Sequence, residues 1–468
     1  MRYERVCLVH SPLDLSATKI PNVGSLAPLG LISLATYLDR NTNVNIKVVD
    51  GDLIGLEKAK RELKDYDLVG IGVQASESYQ SALELAETAK ENGSVVVLGG
   101  EQATIRAKQI IKRPYIDFVI RGQGENGLLS LVEGKELENI PSLTYRLGKE
   151  IISNPSQRLS LRNLPIPDRA FVNQKDYEEQ FQRTLESKLT GLRSFATIRT
   201  QDGCMKAIKQ GVCTFCVRDD LLVFRLRDSE QFWEEMLYLE SLGIDYVWDI
   251  SPSFSSVPFK YLQSLVNAKP AESKMRFRVY ARADDLAEEE KTRALKEIGI
   301  ENVLVGFDSG NQDCLDSSNK KTTLEQHRTA TRNLRKYNIS TYAAFILGHL
   351  AETNESMFDT LNHARELRDI MGDELFRIVT CSKMQLYPGS GEWNVFLSAN
   401  PDLREKYEEA DIINLKELSE LYFTRHLEIN PEEADKIAEE IRGLAPIKSG
   451  KDMMIGLGRL KSYLIVEK

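Results

Sequence analysis

The chain lacks three features that would each assign it to a class of protein: a long apolar run, an excess of positive charge and a dense set of cysteines. No stretch approaches the roughly twenty apolar residues of a membrane-spanning helix. The formal net charge of −9 disfavours a sequence-independent grip on nucleic acid through a basic surface. No polar low-complexity tract indicates disorder, and for 468 residues we expect two or three domains.

The first residues, MRYERVCLVHSP, contain a short apolar run without a small-residue cleavage site. They predict a first β-strand and not a signal peptide. We therefore expect a soluble, cytoplasmic protein that binds neither membrane nor nucleic acid.

The six cysteines are sparse, and three of them, Cys204, Cys213 and Cys216, fall within thirteen residues. This spacing indicates an inorganic site and not a disulfide framework. Thiolates bind both iron and zinc, but a closed zinc site needs a fourth ligand, and no further His or Cys lies nearby. Three thiolates on a four-iron cluster would leave one iron open. A zinc site or a purely structural role is the alternative.

From Val6 to about Leu147, the short strands VCLVH, NIKVVD, LVGIGV, SVVVLGG and FVIRG alternate with helical segments. This alternation predicts an α/β domain with a doubly wound parallel sheet, whose ligand crevice lies at the carboxyl ends of the strands. Glycines there let backbone approach a ligand, although they also serve tight turns. The candidate binding residues at these ends are Leu29, Gly30, Asp50, Gln74, Ser76, Glu77, Gly99, Gly100, Glu101, Gly122, Gly124 and Glu125.

The order Pro-Leu-Gly-Leu, then Asp50, then Gly-Gly, then Gly-Gln-Gly-Glu resembles the cobalamin-binding domain that precedes many radical S-adenosylmethionine domains. The resemblance covers residues 1–150 and implies cobalamin. An empty or altered flavodoxin-like domain is the alternative.

The better-known cobalamin modules carry an Asp-x-His-x-x-Gly motif whose histidine binds cobalt, and this motif is absent. His10 ends the first strand without the motif's Asp two residues before it or Gly three after. The resemblance therefore implies base-off cobalamin without a histidine ligand, with Gln74, Ser76 and Glu77 on the lower side of the corrin.

Residues 151–190 include Leu164-Pro165-Ile166-Pro167-Asp168 and then a polar, helix-like run, which predicts an extended linker. It resembles the segment that joins the two modules in the same family.

Cys213-Thr214-Phe215-Cys216 resembles the end of the radical S-adenosylmethionine cysteine motif, whose aromatic residue packs beside adenine. The resemblance implies a 4Fe–4S cluster on Cys204, Cys213 and Cys216, with S-adenosylmethionine chelating the open iron. Eight residues separate the first two cysteines where the family has three. A longer loop still reaches one cluster, because the free energy of loop closure grows slowly with length.

Downstream, repeated βα units over residues 191–393 predict a partial (β/α)6 TIM-type barrel. Several strand ends resemble the family's segments: NVLVGFDSG has Asp308 where the family has Glu, and FILGHLAET has Leu350 where it has Pro. The resemblance implies that the residues around S-adenosylmethionine are Phe215, Asp249, Ser251, Tyr280, Arg282, Asp308, Ser309 and Gly348.

Residues 394–468 are charged and helix-forming, which predicts a helical C-terminal region. It forms either a cap over the barrel mouth or a plain packing domain.

The two modules together imply a cobalamin-dependent radical S-adenosylmethionine methyltransferase that acts on an unactivated carbon, or on phosphorus, of a small molecule or peptide. Reductive cleavage also implies an electron donor such as flavodoxin or ferredoxin. The alternatives are a cobalamin-assisted rearrangement or ring closure, tRNA methylthiolation, and a non-enzymatic cobalamin or metal sensor.

Shared chemistry requires the carboxyl edge of the sheet to face the barrel mouth, with the corrin between them. The cobalt and the 5′ carbon of the adenosyl group are then expected roughly 6 to 10 Å apart.

Overall fold

The computed structural model describes residues 3–13, 24–74, 76–184, 187, 191–217 and 222–445. Its first domain is a seven-stranded sheet in the order β2-β1-β3-β4-β5-β6-β7. The strands are β1 Arg5–His10, β2 Asn45–Asp50, β3 Leu68–Gly72, β4 Val95–Gly99, β5 Phe118–Ile120, β6 Leu143–Leu147 and β7 Glu150–Ser153.

Alternating side chains of this sheet face two layers of helices. On β1, Val6 and Leu8 pack towards one layer, whereas Cys7 and Val9 pack towards the other. Helices α1 and α7 cover the Leu8 face, and α3 to α6 cover the Cys7 face. The helices of this domain are α1 Leu29–Asn41, α2 Gly51–Ile54, α3 Leu56–Arg61, α4 Tyr79–Glu91, α5 Glu101–Ile105, α6 Ala107–Ile110 and α7 Glu125–Glu133.

The first five strands are parallel, as the sequence predicts, but β6 and β7 are antiparallel. Their hairpin turns at Gly148, which has φ +60°. Because β7 ends at Ser153, the sheet continues past residue 150. The pattern of strands separated by helices does not predict this pair, since a hairpin needs no crossover helix.

The linker is packed and not merely extended. It contains short 3-10 turns at Leu161–Asn163 and Arg169–Phe171, followed by helix α8 Gln174–Gln182. The hydroxyl of Tyr177 in α8 donates to Asp50 of the first domain at 3.1 Å. The ring of Phe181 stacks on Phe195 at the start of the second domain, with 5.3 Å between centroids. Helix α8 therefore contacts both domains.

The second domain is a six-stranded, wholly parallel sheet in the order β15-β14-β13-β12-β11-β8. The expected partial (β/α)6 barrel is confirmed. Its strands are β8 Ala196–Ile198, β11 Tyr246–Asp249, β12 Arg276–Arg282, β13 Ile300–Asp308, β14 Ser340–Leu347 and β15 Phe376–Lys383, and the short pair β9 Gln201–Asp202 and β10 Arg225–Leu226 lies beside the barrel.

The concave side of the barrel is filled near its amino end. The guanidinium of Arg278 lies within 6 Å of the ring centroids of four aromatic residues and donates to Asn302. The short helix α9 Met205–Gln210 follows β9. The outer helices of the barrel are α10 Ser229–Ser241, α11 Phe259–Asn267, α12 Ala283–Ala287, α13 Glu289–Ile298, α14 Gln312–Ser317, α15 Leu324–Lys336, α16 Asn354–Met371 and α17 Gly391–Ala399.

The C-terminal region is helical through residue 445, with α18 Pro401–Glu409, α19 Leu415–Tyr422, a π-helical turn at Phe423–Leu427 and α20 Pro431–Arg442. Helix α20 packs on the edge strand β15 and on α16. Within the described residues, no helix combines the length and apolarity required to cross a bilayer.

Candidate functional site

The three clustered cysteines lie in the loop that follows β8. Cys204 caps the amino end of α9, and the backbone N–H of Cys216 donates to the Cys213 carbonyl in a tight turn. All three cysteines are partly buried. The short helix spans part of the eight-residue gap, so the long spacing still brings the three cysteines into one loop.

A second loop, after α14, holds the cysteine loop in place. The side-chain amide of Asn319 donates to the carbonyls of Gln210 and Val212 at 3.2 and 2.9 Å. The Lys206 ammonium donates to Cys213 Sγ at 3.3 Å and to the Gly211 carbonyl at 2.8 Å. These contacts orient the loop before any metal is bound.

The spacing of the sulfurs argues against a single zinc ion. Zinc–thiolate bonds of about 2.3 Å would hold tetrahedral sulfurs roughly 3.8 Å apart. Among the described residues, the only His, Cys, Asp and Glu group whose ligand atoms all lie within 4.8 Å is His10, Asp50 and Asp52. A cubane binds each thiolate to a different iron and separates the sulfurs more widely, so sulfurs that are not all within 4.8 Å of one another suit a 4Fe–4S cluster better than a single zinc ion.

The other three thiols are unsuited to metal binding. Burial raises the pKa of Cys7 and of Cys314 to about 12, and it raises the pKa of Cys381 as well. The Cys314 sulfur also contacts Glu352 and Ser356 at 3.4 and 3.6 Å. A thiolate is therefore disfavoured at all three positions.

Asp249 and Ser251, at the end of β11, support the cysteine loop from below. Asp249 Oδ1 accepts from the Ser251 hydroxyl at 2.5 Å, and Ser251 Oγ accepts from the backbone N–H groups of Thr200 and Gln201 at 3.0 and 2.8 Å. Full burial raises the pKa of Asp249. Both residues thus pin the backbone that leads to Cys204, and their contact with S-adenosylmethionine stays a prediction.

Three further predicted residues lie near the carboxyl ends of β12 and β13. Asp308, which has φ +63°, pairs with Lys320 at 2.5 Å. Arg282 donates to the Lys320 carbonyl at 2.8 Å and to Asp284 at 3.1 Å. Tyr280 is half-buried, with its ring 5.5 Å from that of Trp248. Arg282, Asp308 and Lys320 thus form a connected set beside the loop that holds the cysteines, since Lys320 follows Asn319.

Phe215, Gly348 and Ser309 complete the predicted set. The Phe215 ring lies edge-on to His349, with 5.8 Å between centroids. A Cβ on Gly348 would come within 2.6 Å of the Phe423 ring, so a residue of the C-terminal region occupies the space beside this glycine. Ser309 bonds to Thr360 of α16 at 3.1 Å and is fully buried, so it faces an outer helix.

A cavity of about 340 Å³ opens at the carboxyl edge of the first sheet. Its floor is lined by Leu8, Gly70 and Gly72, on the face that α1 and α7 cover. The opposite wall comes from the second domain, at the ends of β8 and β11, through Thr197, Arg199, Trp248 and Ile250. The carboxyl edges of the two sheets therefore line one cavity.

Nine of the twelve predicted cobalamin residues line this cavity: Leu29, Gly30, Gln74, Gly99, Gly100, Glu101, Gly122, Gly124 and Glu125. Asp50, Ser76 and Glu77 are not in its lining. Asp50 instead accepts from Tyr177, and Ser76 donates to Gln102 at 3.3 Å. Of the segment expected beneath the corrin, Gln74 alone lines the cavity, and Ala75 lies outside the described residues.

Glycine keeps this cavity open. A Cβ on Gly70 would meet Leu8 at 2.8 Å, and a Cβ on Gly100 would meet the Val73 carbonyl at 2.3 Å. The lining also includes a polar pair: Glu125 accepts from Ser33 at 2.9 Å, and burial raises the pKa of Glu125. An apolar cleft that also carries polar side chains fits a macrocycle that carries amide side chains and a nucleotide tail.

The second-domain wall carries charged residues that the sequence did not single out. Arg199 pairs with Asp202 at 2.6 Å, and Arg227 lies 3.7 Å from Glu235. Burial raises the pKa of Glu235, whereas Arg227 opposes that rise. No local sequence motif identifies these residues, because they line the cavity only where the second domain packs against the first.

A smaller cavity adjoins the first through Thr104, Gly122 and Arg158. Arg121, Arg158 and Arg225 line it, together with Ser156 and Val223. Guanidinium groups recognise carboxylate and phosphate, so this cavity suits an anionic group.

Two family models match the chain. The radical SAM superfamily matches residues 198–364, and the B12 binding domain matches residues 22–132.

The chain is 27% identical over 417 residues to an uncharacterized methyltransferase of Pyrococcus horikoshii, a match that covers 86% of this chain and 84% of that protein. It is 26% identical over 385 residues to the anaerobic magnesium-protoporphyrin IX monomethyl ester cyclase of Cereibacter sphaeroides, covering 77% of this chain and 59% of that one.

Among solved structures, the cobalamin-dependent S-adenosylmethionine radical enzyme OxsB, with aqua-cobalamin and S-adenosylmethionine bound, has a TM-score of 0.68 at 18% identity, covering 98% of this chain and 72% of OxsB. The radical S-adenosylmethionine methyltransferase TsrM from Kitasatospora setae has a TM-score of 0.65 at 19% identity, covering 83% of this chain and 76% of TsrM.

Both matched domains occur here in one chain, on a fold shared with these enzymes, and the cysteine loop and the interdomain cavity provide a place for the cofactors of each. The protein therefore belongs to the cobalamin-dependent radical S-adenosylmethionine enzymes, with a 4Fe–4S cluster, S-adenosylmethionine and cobalamin as its cofactors.

Proposed function

We propose that this enzyme is a methyltransferase that acts on an unactivated carbon, or on phosphorus, of a small-molecule or peptide substrate. The observation that carries the proposal is the shared cavity, because methyl delivery and hydrogen abstraction must reach the same substrate atom. When bound, the cofactors supply reductive cleavage of S-adenosylmethionine for hydrogen abstraction and a cobalt-borne methyl group for transfer.

The residues of the chain position these groups and keep water away. Asn319 and Lys206 hold the cysteine loop, while Asp249 and Ser251 fix the backbone that leads into it. We propose that Arg282, Asp308 and Tyr280 orient S-adenosylmethionine beside that loop. Trp248 and Ile250 give the barrel side of the cavity an apolar surface.

Ring closure without methyl transfer is the second candidate, and the cyclase relative supports it. tRNA methylthiolation is less well supported, although a putative methylthiotransferase of Methanocaldococcus jannaschii is 25% identical over 284 residues, covering 58% of each chain. The first domain contains one cysteine, Cys7, which is fully buried in the sheet core with a raised pKa. It is unsuited to a second cluster.

The two leading candidates are distinguished without knowing the substrate. Anaerobic protein loaded with cluster and cobalamin is reduced and given S-adenosylmethionine alone. A methyltransferase is expected to form S-adenosylhomocysteine in proportion to its bound cobalamin, because the cofactor must first be methylated. A cyclase forms 5′-deoxyadenosine without that S-adenosylhomocysteine, and this result would refute the methyl-transfer proposal.

Product identity is the second step. The loaded enzyme is incubated with cell extract and S-adenosylmethionine that carries a deuterated methyl group. A substrate-derived product with one added deuterated methyl group is expected. The matched control is the Cys216→Ala variant, which should form no such product.

A further inference from the structure

The smaller cavity beside the interdomain cavity is lined by arginines from three separate parts of the chain. Arg121 follows β5 in the first domain, Arg158 lies in the linker, and Arg225 begins β10 in the second domain. Among the described residues, no carboxylate lines this cavity. Thr104, Gly122 and Arg158 also line the larger cavity, so an anion bound here would lie at the border of the space that both domains share.

Backbone carbonyl groups hold two of these arginines in place. Arg225 Nη1 donates to the Leu159 carbonyl at 3.1 Å, and Arg121 donates to the Asn154 carbonyl. These contacts fix the linker segment that carries Arg158 between the two domains. Each contact uses one nitrogen of a guanidinium group that has five N–H donors. Arg121 and Arg225 therefore keep donors for a ligand.

The positive charge of this cavity is only partly balanced. The buried Nε of Arg121 has no hydrogen-bond partner among the described residues. Arg225 lies 3.9 Å from Asp202, at the edge of ion-pair range, and Asp202 also pairs with Arg199 at 2.6 Å. Burial lowers the pKa of Arg121 and of Arg225, and the charge of Arg158 lowers the pKa of Arg225 further, although Asp202 opposes this. An anion among these groups would offset their desolvation and repulsion.

Close backbone packing places Arg225 next to the cysteine loop. Strand β10 pairs with β9, and Arg225 lies opposite Asp202, two residues before Cys204. A Cβ on Gly203, which has φ +80°, would lie 2.3 Å from the Val223 carbonyl, so only glycine allows the strands to approach this closely. The wall that carries Val223 and Arg225 is thus joined to the segment that leads into the cysteine loop.

We propose that Arg121, Arg158 and Arg225 bind an anionic group of the substrate, a phosphate or a carboxylate. Guanidinium groups bind both of these anions through paired, parallel hydrogen bonds. The inference rests on the proposed function and deepens it, because it names the chemical class of the molecule that is methylated. An anion held at this border leaves the rest of the substrate extending into the interdomain cavity.

The phosphate of the cobalamin nucleotide tail has the same chemistry, but the structure favours the substrate. Arg225 belongs to the second domain, beside the cysteine loop. The apolar floor at Leu8, Gly70 and Gly72 lies on the sheet face that α1 and α7 cover, whereas Thr104 belongs to α5, on the opposite face. A tail that enters along this floor lies across the sheet from α5.

Phosphate binding to anaerobic protein loaded with cluster and cobalamin tests the site without substrate or turnover. Equilibrium dialysis with radiolabelled inorganic phosphate is expected to show one saturable site per chain. Arg121→Gln and Arg225→Gln should each weaken binding about tenfold or more, since each removes charge-assisted hydrogen bonds. Arg293→Gln, at an exposed arginine of α13, is the matched control and should leave binding unchanged. Absence of saturable binding, or equal affinity in all of these proteins, would overturn the proposal.

Arg225→Lys covers the case in which Arg225→Gln does not fold, and iron and cobalamin content serve as the check of folding. Lysine keeps the positive charge but lacks the planar fork, so this variant should bind phosphate more weakly than the wild type. Wild-type affinity in both Arg225→Lys and Arg121→Gln would contradict the proposal.

Loading with cobinamide, which lacks the nucleotide tail and its phosphate, separates the two sources of the anion. A substrate site should bind inorganic phosphate equally in the cobalamin-loaded and the cobinamide-loaded protein. Phosphate binding that occurs only with cobinamide would assign the arginines to the tail and overturn the proposal.

The deuterated product from cell extract tests the substrate class. It is expected to be retained by an anion exchanger, and inorganic phosphate should inhibit its formation. A neutral product would overturn this inference while methyl transfer stands. Absence of any deuterated product would count against methyl transfer, whereas phosphate binding would still decide the role of the arginines.

Discussion

At the scale of single residues, the three cysteines of the cysteine loop are expected to respond to replacement differently from the buried cysteines. We propose that each of the three thiolates binds a different iron, so replacing Cys204, Cys213 or Cys216 with Ala is expected to abolish stable cluster loading. Iron and sulfide content after anaerobic reconstitution measures the loss.

Cys314→Ala and Cys381→Ala are the controls and should keep full iron content, since burial keeps these thiols protonated. If Cys204→Ala retains its iron while Cys314→Ala loses it, the first ligand lies at Cys314 and the assignment of Cys204 is wrong.

Gly100 provides a second test at this scale. Its φ of +100° and ψ of −178° lie in a region that is essentially restricted to glycine. A Cβ would also meet the Val73 carbonyl at 2.3 Å. Gly100→Ala is expected to cost about 2 kcal/mol or more in the free energy of unfolding and to weaken cobalamin retention.

The matched variant is Gly93→Ala, where φ is +85° but nothing lies within 4 Å of the added Cβ. It should cost about 1 kcal/mol, the backbone strain alone. Equal urea-unfolding free energies for the two variants would show that the close approach at Gly100 is unimportant.

At the scale of elements, the contact between the loop after α14 and the cysteine loop depends on Asn319. Asn319→Ala removes two donors to the cysteine loop and should lower iron retention during dilution, with little effect on thermal unfolding.

Asn338→Ala is its control, because Asn338 has a similar φ, +50° against +51°, but lies exposed at the end of α15. Both variants place Ala in the left-handed region, so a difference in iron retention isolates the side-chain hydrogen bonds. Equal retention would argue that the cysteine loop is ordered without this contact.

Helices α15 and α16 share a buried histidine pair that makes stability depend on pH. His327 Nδ1 lies 3.2 Å from His363 Nε2, and His363 Nδ1 lies 3.1 Å from Glu366. Burial lowers the pKa of both histidines, that of His327 well below its ordinary value. The unfolded chain therefore binds more protons below about pH 6.5, and the stability present at pH 7 falls as the pH drops towards the folded pKa values.

Each histidine contributes a slope of at most about 1.4 kcal/mol per pH unit. Buried Glu125 and Asp249 have raised pKa values, so they make the free energy of unfolding rise as the pH falls, opposite to the histidines. The effect of the histidine pair is therefore measured by comparing a histidine variant with the wild type. Urea unfolding of His363→Gln between pH 7 and pH 5 should show a smaller loss of stability than the wild type. Parallel pH profiles would contradict this prediction.

At the scale of the whole molecule, the C-terminal region links the two domains. The buried guanidinium of Arg106 donates to the carbonyls of Tyr407 and Glu408 at 3.1 and 3.0 Å, and also to that of Ala410. Asp411 accepts from Tyr79 at 3.1 Å and from Arg113 at 2.8 Å. The end of α18 and the segment after it are thus bound to the first domain. The C-terminal region therefore joins the two domains, a role that differs from both expected roles, a cap over the barrel mouth and a plain packing domain.

Arg106→Ala is expected to cost about 2 to 4 kcal/mol, because it leaves buried carbonyls without donors. Calorimetry should show the unfolding temperatures of the two domains lie further apart in this variant than in the wild type, because the domains uncouple. Lys112→Ala, which removes the exposed pair with Glu409, should leave stability nearly unchanged, because water screens the pair. Equal effects of the two changes would contradict a buried link at Arg106.

Periodicity and spacing were enough to predict the parallel strands of both sheets, the helical C-terminal region and most residues at the mouth of the cavity. These features depend on neighbours a few residues apart, and strand ends in a parallel sheet necessarily share one edge. The hairpin of β6 and β7 was not predicted, because its short strands follow no crossover.

The features predicted from sequence are therefore local: which segments are strands, where glycine leaves room for close backbone packing, and which cysteines share a loop. Three contacts became known from the folded structure alone: β8 and β11 complete the cavity, Phe423 fills the space beside Gly348, and Asp50 and Asp52 lie beside His10. These contacts join residues tens to hundreds of positions apart. They follow from how strand edges and helices pack, and no short window of sequence encodes that packing.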